Sequence, residues 1–198
     1  MKSIYSTDSW LHAQRICLAS ASPRRLTLLQ QVGLHPHVRP ADLDESRRAD
    51  EKVRDYVQRM AISKACQEEN LDCDLVIGAD TIVVVDDELL GKPAHVGEAQ
   101  QMLTRISGRA HQVLTAVAVH QPASQRCRHL LVESRVWIKS LDPEEIDAYI
   151  ATGEPLDKAG SYGIQGLGAA MVTRLEGSCS GVAGLPLHET LALLREFA

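Results

Sequence analysis

A serine pair followed by two arginines, Ser20-Ala21-Ser22-Pro23-Arg24-Arg25, is the segment of this chain best suited to hold an anion. Ser22 is a residue type that caps helices and Pro23 suits the first helical position, so backbone N–H groups and a positive dipole end face outward. Such an end attracts phosphate. Ser20 and Ser22 add hydroxyl donors, while Arg24 and Arg25 add planar guanidinium forks matched to phosphate oxygens. The segment is not a Walker A loop, which needs Gly-x-x-x-x-Gly-Lys. Standing alone, it reads equally well as a capped helix with a solvated arginine pair.

Other residues extend this chemistry. Asp80 interrupts the apolar run DLVIGADTIVVV, where an ionised carboxylate is costly unless it is paired, bound to a metal or at the strand's solvent end. Gly78 just before it removes a side chain and could admit a ligand to the backbone. Lys64 falls within ~20° of both Val53 and Val57 on a helical wheel, so it shares an apolar face. From there it either snorkels to the edge or points its ammonium into a pocket. Gly91-Lys92-Pro93 is a turn that could present Lys92 to phosphate. Glu45, in the acidic stretch Asp42-Leu43-Asp44-Glu45, could supply a ligand to a hard divalent cation or belong to a solvated loop. Gln165, between glycines in Gly163-Ile164-Gln165-Gly166, carries an amide that donates and accepts at once, as reading a base edge requires, though a flexible turn would look the same. His35, His37, His95 and His111 show no ligand spacing on one element and are assigned no metal.

These residues need elements to hold them. Residues 15–19 read as a short strand and 23–32 as a short helix stopped by Gly33, which places the Ser-Arg segment at a strand-to-helix turn. Residues 50–70 have helical spacing, 74–85 form a buried central strand, and 97–106 are helical. Strand candidates follow at 112–120 and 129–138, resembling neighbours in one sheet. Asp142 and Pro143 open a further helix that Gly153 ends. Residues 170–175 read as a strand and 187–197 as an amphipathic helix.

The totals set bounds. The 198 residues, 44% of them hydrophobic, can bury one substantial core, so one domain is expected. A formal net charge of -5 argues against a general nucleic-acid binder and makes any phosphate site local. Five cysteines, odd in number and without C-x-x-C, suggest neither a complete disulfide framework nor a zinc knuckle and fit a reducing compartment. No segment reads as a secretory signal or a membrane span, so a cytoplasmic protein without a membrane partner is expected.

Several separated motifs together resemble the Maf family: LASASPRR, Asp44-Glu45, Ala-x-x-Lys-Ala at 61–65, GADTIV, GKP, SGRAHQV at 107–113, and GLPL. EPLDKAGSYGIQG at 154–166 resembles the branch hydrolysing dTTP and UTP, where the 7-methyl-GTP branch tends to have glutamate at the position of Gln165. The resemblance implies an α/β fold with an elongated, twisted, mixed sheet and two lobes around a nucleotide cleft, similar to inosine triphosphate pyrophosphatases. It implies a nucleoside triphosphate pyrophosphatase acting on dTTP and UTP, or on modified pyrimidine triphosphates, with a Mg²⁺ or Mn²⁺ cofactor and a homodimeric form. Asp80 is then the proton acceptor or a metal ligand, with Glu45 as a second metal ligand. Arg24, Thr81 and Gln165 are linked to substrate choice, and Ser20, Ser22, Arg25, Lys64 and Lys92 are pocket residues. A 7-methyl-GTP-type pyrophosphatase and a nucleotide-binding regulator of septum formation are the alternatives. The resemblance covers the domain expected at 15–198 and leaves residues 1–14 as a leader with a frayed end.

Overall fold

The computed structural model describes residues 9–67 and 72–198. Of the leader expected at 1–14, residues 1–8 lie outside the described residues; Ser9–Ala13 form a helical turn, α1, in which Leu11 is buried. The elements that follow are β1 (Ile16–Leu18), α2 (Pro23–Gln31), β2 (His37–Val38), α3 (Val53–Cys66), β3 (Leu75–Val85), β4 (Glu88–Leu90), α4 (Val96–Ile106), β5 (Ala110–Gln121) and β6 (Arg126–Ile138). After them come α5 (Pro143–Ala151), three short 3₁₀ turns, β7 (Val172–Glu176), α6 (Cys179–Val182) and α7 (Leu187–Arg195).

Seven strands form one mixed sheet in the order β2-β1-β3-β5-β6-β7, with β4 paired to β3. The pairs β1–β2 and β1–β3 are parallel, whereas β3–β4 and β6–β7 are antiparallel. β3 and β5 are buried almost throughout, which is why their sequences run apolar instead of alternating. The two-residue strand β2 and three-residue strand β4 carry too little periodicity to be read from sequence. β4 follows a hairpin loop of Asp86 and Asp87, with φ of 52° and 62°; aspartate tolerates that left-handed region, and two such residues make the tight turn that suits strand twist. The expected helix at 50–70 is realised as Val53–Cys66, and its expected end at 68–70 lies outside the described residues.

The chain divides into two compact units. The first contains residues 1–80, 115–131 and 184–198; the second contains 81–114 and 132–183. In the first, β1 and the start of β3 contribute Cys17, Leu18, Leu75 and Ile77, and α3 contributes Val57, Met60 and Ala61, all with essentially no exposure. In the second, Val83, Leu90, Leu103, Ile106, Val136 and Ile150 belong to one buried cluster. Among the described residues no helix is long and apolar enough to cross a membrane.

The cysteine count and spacing suggest no complete disulfide framework; among the described residues one bond forms, between Cys17 and Cys73, whose Cα atoms are 6.0 Å apart. The reason is register: Cys17 pairs with Val76 across the parallel β1–β3 ladder, which brings the residues just before β3 beside β1. Cys66, Cys127 and Cys179 are free thiols.

Candidate active site

The first unit contains seven of the expected residues: Ser20, Ser22, Arg24, Arg25, Glu45, Lys64 and Asp80. Ala19 N–H donates to Ile77 O at 2.8 Å, so β1 ends against β3 and the chain leaves the sheet through Ser20 into α2. Ser22 occupies the N-cap position of α2, but its side chain makes no capping hydrogen bond. The hydroxyl of Ser20 is the structural one: it accepts from Ser22 N–H at 3.2 Å and from an Nη of Arg25 at 2.9 Å. Arg25 Nε donates to Gly184 O at 2.9 Å, which fixes the plane of the fork. Arg24 is half-buried at the same helix start.

The charges converge on Asp80. This carboxylate is 8% exposed in the middle of an apolar strand and accepts from Lys64 Nζ at 2.8 Å. The ammonium, also 8% exposed, lies 2.7 Å from a carboxylate oxygen of Glu45. One buried cation therefore joins two carboxylates, and the question left open by the helical wheel is answered: Lys64 does not snorkel to water. Burial of both partners is tolerable because each has a counter-charge at hydrogen-bond distance.

Gly78 explains how helix and strand come close enough. A Cβ at this position would stand 2.3 Å from Ala61 O and 2.5 Å from Ala65 N. The space that the sequence offered to a ligand is instead filled by the backbone of α3, which carries Lys64 three residues beyond Ala61. Close backbone approach is the reason for glycine here.

Two residues missed by the sequence reading hold the acidic loop in place. Tyr56, on α3, donates its hydroxyl to Glu45 O at 2.8 Å. Burial, reinforced by the charges of Asp80 and Glu45, pushes the phenol up to about 12, so it remains a donor. Arg59, one turn further, grips the Glu51 carboxylate through Nε at 2.5 Å and an Nη at 2.8 Å, and donates to Ser46 O at 3.1 Å. The guanidinium holds Glu51 at about 2, well below the usual carboxylate range. No spacing signal marks these residues, because their partners lie in an irregular loop that helical periodicity does not index.

The field around Arg25 suits a polyanion. Burial lowers its proton affinity, Asp80 raises it, Arg24 lowers it and Glu45 raises it; guanidinium stays charged throughout. Two neighbouring arginines repel one another, and a phosphate chain placed between them and the helix N-terminus would relieve both the repulsion and the desolvation.

The other expected residues belong to the second unit. Thr81 follows Asp80 directly on β3 and is half-buried; Lys92 is exposed in the turn after β4, where Gly91 O accepts from Gly160 N–H at 3.0 Å. Gln165 is exposed in the loop 163–168.

The chain resembles known proteins over nearly its whole length. The family model described as "Maf-like protein" matches residues 15–197. A protein of Vibrio vulnificus named dTTP/UTP pyrophosphatase is 48% identical over 185 residues, covering 92% of this chain and 98% of that one. Proteins with the same name from Anaeromyxobacter dehalogenans and Alcanivorax borkumensis are 51% and 49% identical over 92% and 89% of this chain, and 94% and 92% of theirs. Among solved structures, a HAM1 protein from Coxiella burnetii has a TM-score of 0.50 at 16% identity, covering 92% of this chain and 98% of that chain, a likeness of fold. With the family model matched from residue 15 to residue 197 and relatives at about half identity, the chain belongs to the Maf family.

Proposed function

We propose that this protein hydrolyses dTTP and UTP to the nucleoside monophosphate and pyrophosphate. The observation that carries the reading is the buried ion cluster of Asp80, Lys64 and Glu45 beside the arginine-bearing start of α2; the names of the relatives supply the bases. In this reading Ser22, Arg24, Arg25 and the N–H groups of α2 take the triphosphate, and Ser20 holds Arg25 in its orientation. Lys64 fixes the Asp80 carboxylate and Lys92 adds charge for the phosphates. Water attacks the α-phosphorus, the bond from that phosphorus to the bridging oxygen breaks, pyrophosphate leaves and Asp80 accepts the water's proton. A carboxylate is a weak base at neutral pH, so the effect of Asp80 comes from its placement beside the reacting water. Thr81 and Gln165 discriminate among substrates.

A divalent cation, Mg²⁺ or Mn²⁺, fits the donor set. Glu45 and Asp80 offer hard carboxylate oxygens, and magnesium commonly takes one or two carboxylates with the remaining positions filled by phosphate oxygens and water. Among the described residues no group of three or more His, Cys, Asp or Glu is arranged around one point. When bound, such an ion would neutralise charge on the triphosphate. By family resemblance the working form is a cytoplasmic homodimer, and sedimentation of the purified protein reads the oligomer.

The test is product identification from purified protein given a panel of natural and modified triphosphates, with and without divalent ions. The expected products from dTTP and UTP are the monophosphate and pyrophosphate, with turnover abolished in Asp80→Asn. Tight nucleotide binding without product would replace the enzyme by a sensor, and release of orthophosphate would place the cleavage at another bond.

A further inference from the structure

The loop that bears Gln165 is held from beneath by a carboxylate and a phenol that take no part in the chemistry above. Glu154 follows Gly153, whose φ of 76° turns the chain out of α5. Its Oε1 accepts from the Tyr149 hydroxyl at 2.8 Å and from Gly168 N–H at 3.1 Å, and its Oε2 accepts from Leu167 N–H at 2.9 Å. The Tyr149 hydroxyl in turn accepts from Gly163 N–H at 3.0 Å. Both ends of the loop 163–168 are thus fastened to one hydrogen-bonded pair, and Gln165 stands exposed between the fastened ends.

The glycines of the loop are required by this arrangement. A Cβ at residue 166 would lie 2.3 Å from Glu154 Oε2, one at 168 would lie 2.6 Å from the Tyr149 hydroxyl, and one at 163 would lie 2.9 Å from Glu154 Oε1. What reads in sequence as a flexible glycine-rich turn is a loop whose missing side chains let a carboxylate and a phenol reach its backbone. Burial raises the proton affinity of Glu154, but its donors at Leu167, Gly168 and Tyr149 together bring it below the usual carboxylate value. Burial and the neighbouring Glu154 charge raise that of Tyr149, which therefore remains a donor.

We propose that Glu154 and Tyr149 are positioning residues for base recognition, fixing the loop 163–168 in the one conformation in which Gln165 meets the pyrimidine edge. The inference rests on Gln165 reading the base. Holding the loop beforehand removes the ordering cost that would otherwise weaken base binding. The phosphate-binding groups are separate residues, so loosening the loop weakens recognition of the base and spares recognition of the phosphates.

The test is Glu154→Gln, whose amide would turn a donor toward a backbone N–H, together with Gly166→Ala and Gln165→Ala. For each variant the KM and kcat for dTTP, the preference for dTTP over a purine triphosphate, and inhibition by inorganic tripolyphosphate are measured. Glu154→Gln and Gly166→Ala should each raise KM about 10-fold and cut the base preference by a similar factor, the size of a lost charge-assisted hydrogen bond. The tripolyphosphate inhibition constant should stay within about 2-fold, and Gln165→Ala should add little in the Glu154→Gln background because both act on one contact. A tripolyphosphate constant that rises with KM would show a general loss of structure and overturn the inference. A preference that Gln165→Ala abolishes but Glu154→Gln leaves intact would refute the positioning role while sparing the reading of Gln165. A preference unchanged in Gln165→Ala would remove that reading, and this inference with it.

Discussion

Replacing Lys64 by methionine removes the cation from the buried cluster while keeping a long apolar side chain, so the packing of its stem against α3 and β3 is largely preserved. The Asp80 carboxylate, 8% exposed, then loses a donor at 2.8 Å. Removing one partner of a buried pair costs about 3–5 kcal/mol, since an uncompensated charge remains. Glu45, whose side chain is 56% exposed, can turn to water and adds under about 1 kcal/mol. Lys64→Met should therefore lower the free energy of unfolding by about 3–5 kcal/mol. In the double variant Lys64→Met/Asp80→Asn the buried charge is gone as well, and at least about 2 kcal/mol should return. Urea unfolding of the wild type, both single variants and the double variant at pH 7, followed by circular dichroism, closes the cycle. A double variant no more stable than Lys64→Met, or single effects that simply add within about 0.5 kcal/mol, would refute a buried, mutually compensating pair.

The remaining predictions concern packing, proton linkage and the acidic loop. Gly78→Ala should destabilise by about 1–3 kcal/mol and lower turnover, because its Cβ meets the backbone of α3 at 2.3 Å; a wild-type urea midpoint would contradict the close approach. Burial pushes His111 down to about 4 from 6.5, and its Nε2 lies 2.8 Å from the Tyr162 hydroxyl. The unfolded chain therefore binds a proton that the folded one refuses between these values: the contribution is complete above about 6.5, falls as pH drops, and amounts to roughly 3 kcal/mol of loss by pH 4. His111→Gln should show a shallower acid limb in urea titrations from pH 7 to 4, and an identical limb would exclude His111 as its source. Tyr56→Phe should free the loop carrying Glu45, raising the divalent-ion concentration needed for half-maximal turnover several-fold with little change in fold; an unaltered ion requirement would detach Tyr56 from the site.

How much was legible in the sequence depends on the range of the contact. Local chemistry marked α2 and its Ser22-Pro23 start, and it marked α5, where Asp142 and Glu145 form a reciprocal capping box around Pro143. A nearly unbroken apolar run marked β3, because burial on both faces removes the need for polar residues. Asp80 announced a need for a partner, and Lys64 announced a misplaced charge, each by violating the pattern around it. The sequence could not pair them. Their union depends on Gly78 letting α3 settle onto β3, and on Tyr56 and Arg59 fastening an irregular loop so that Glu45 reaches the same ammonium. The same holds for Cys17 with Cys73, which only the β1–β3 register makes neighbours, and for Glu154 under the Gln165 loop. Residue type and periodicity determine which groups are costly or reactive where they stand; tertiary packing decides which of them meet, since the distances that set electrostatic and hydrogen-bond energies are between elements and leave no trace in local spacing.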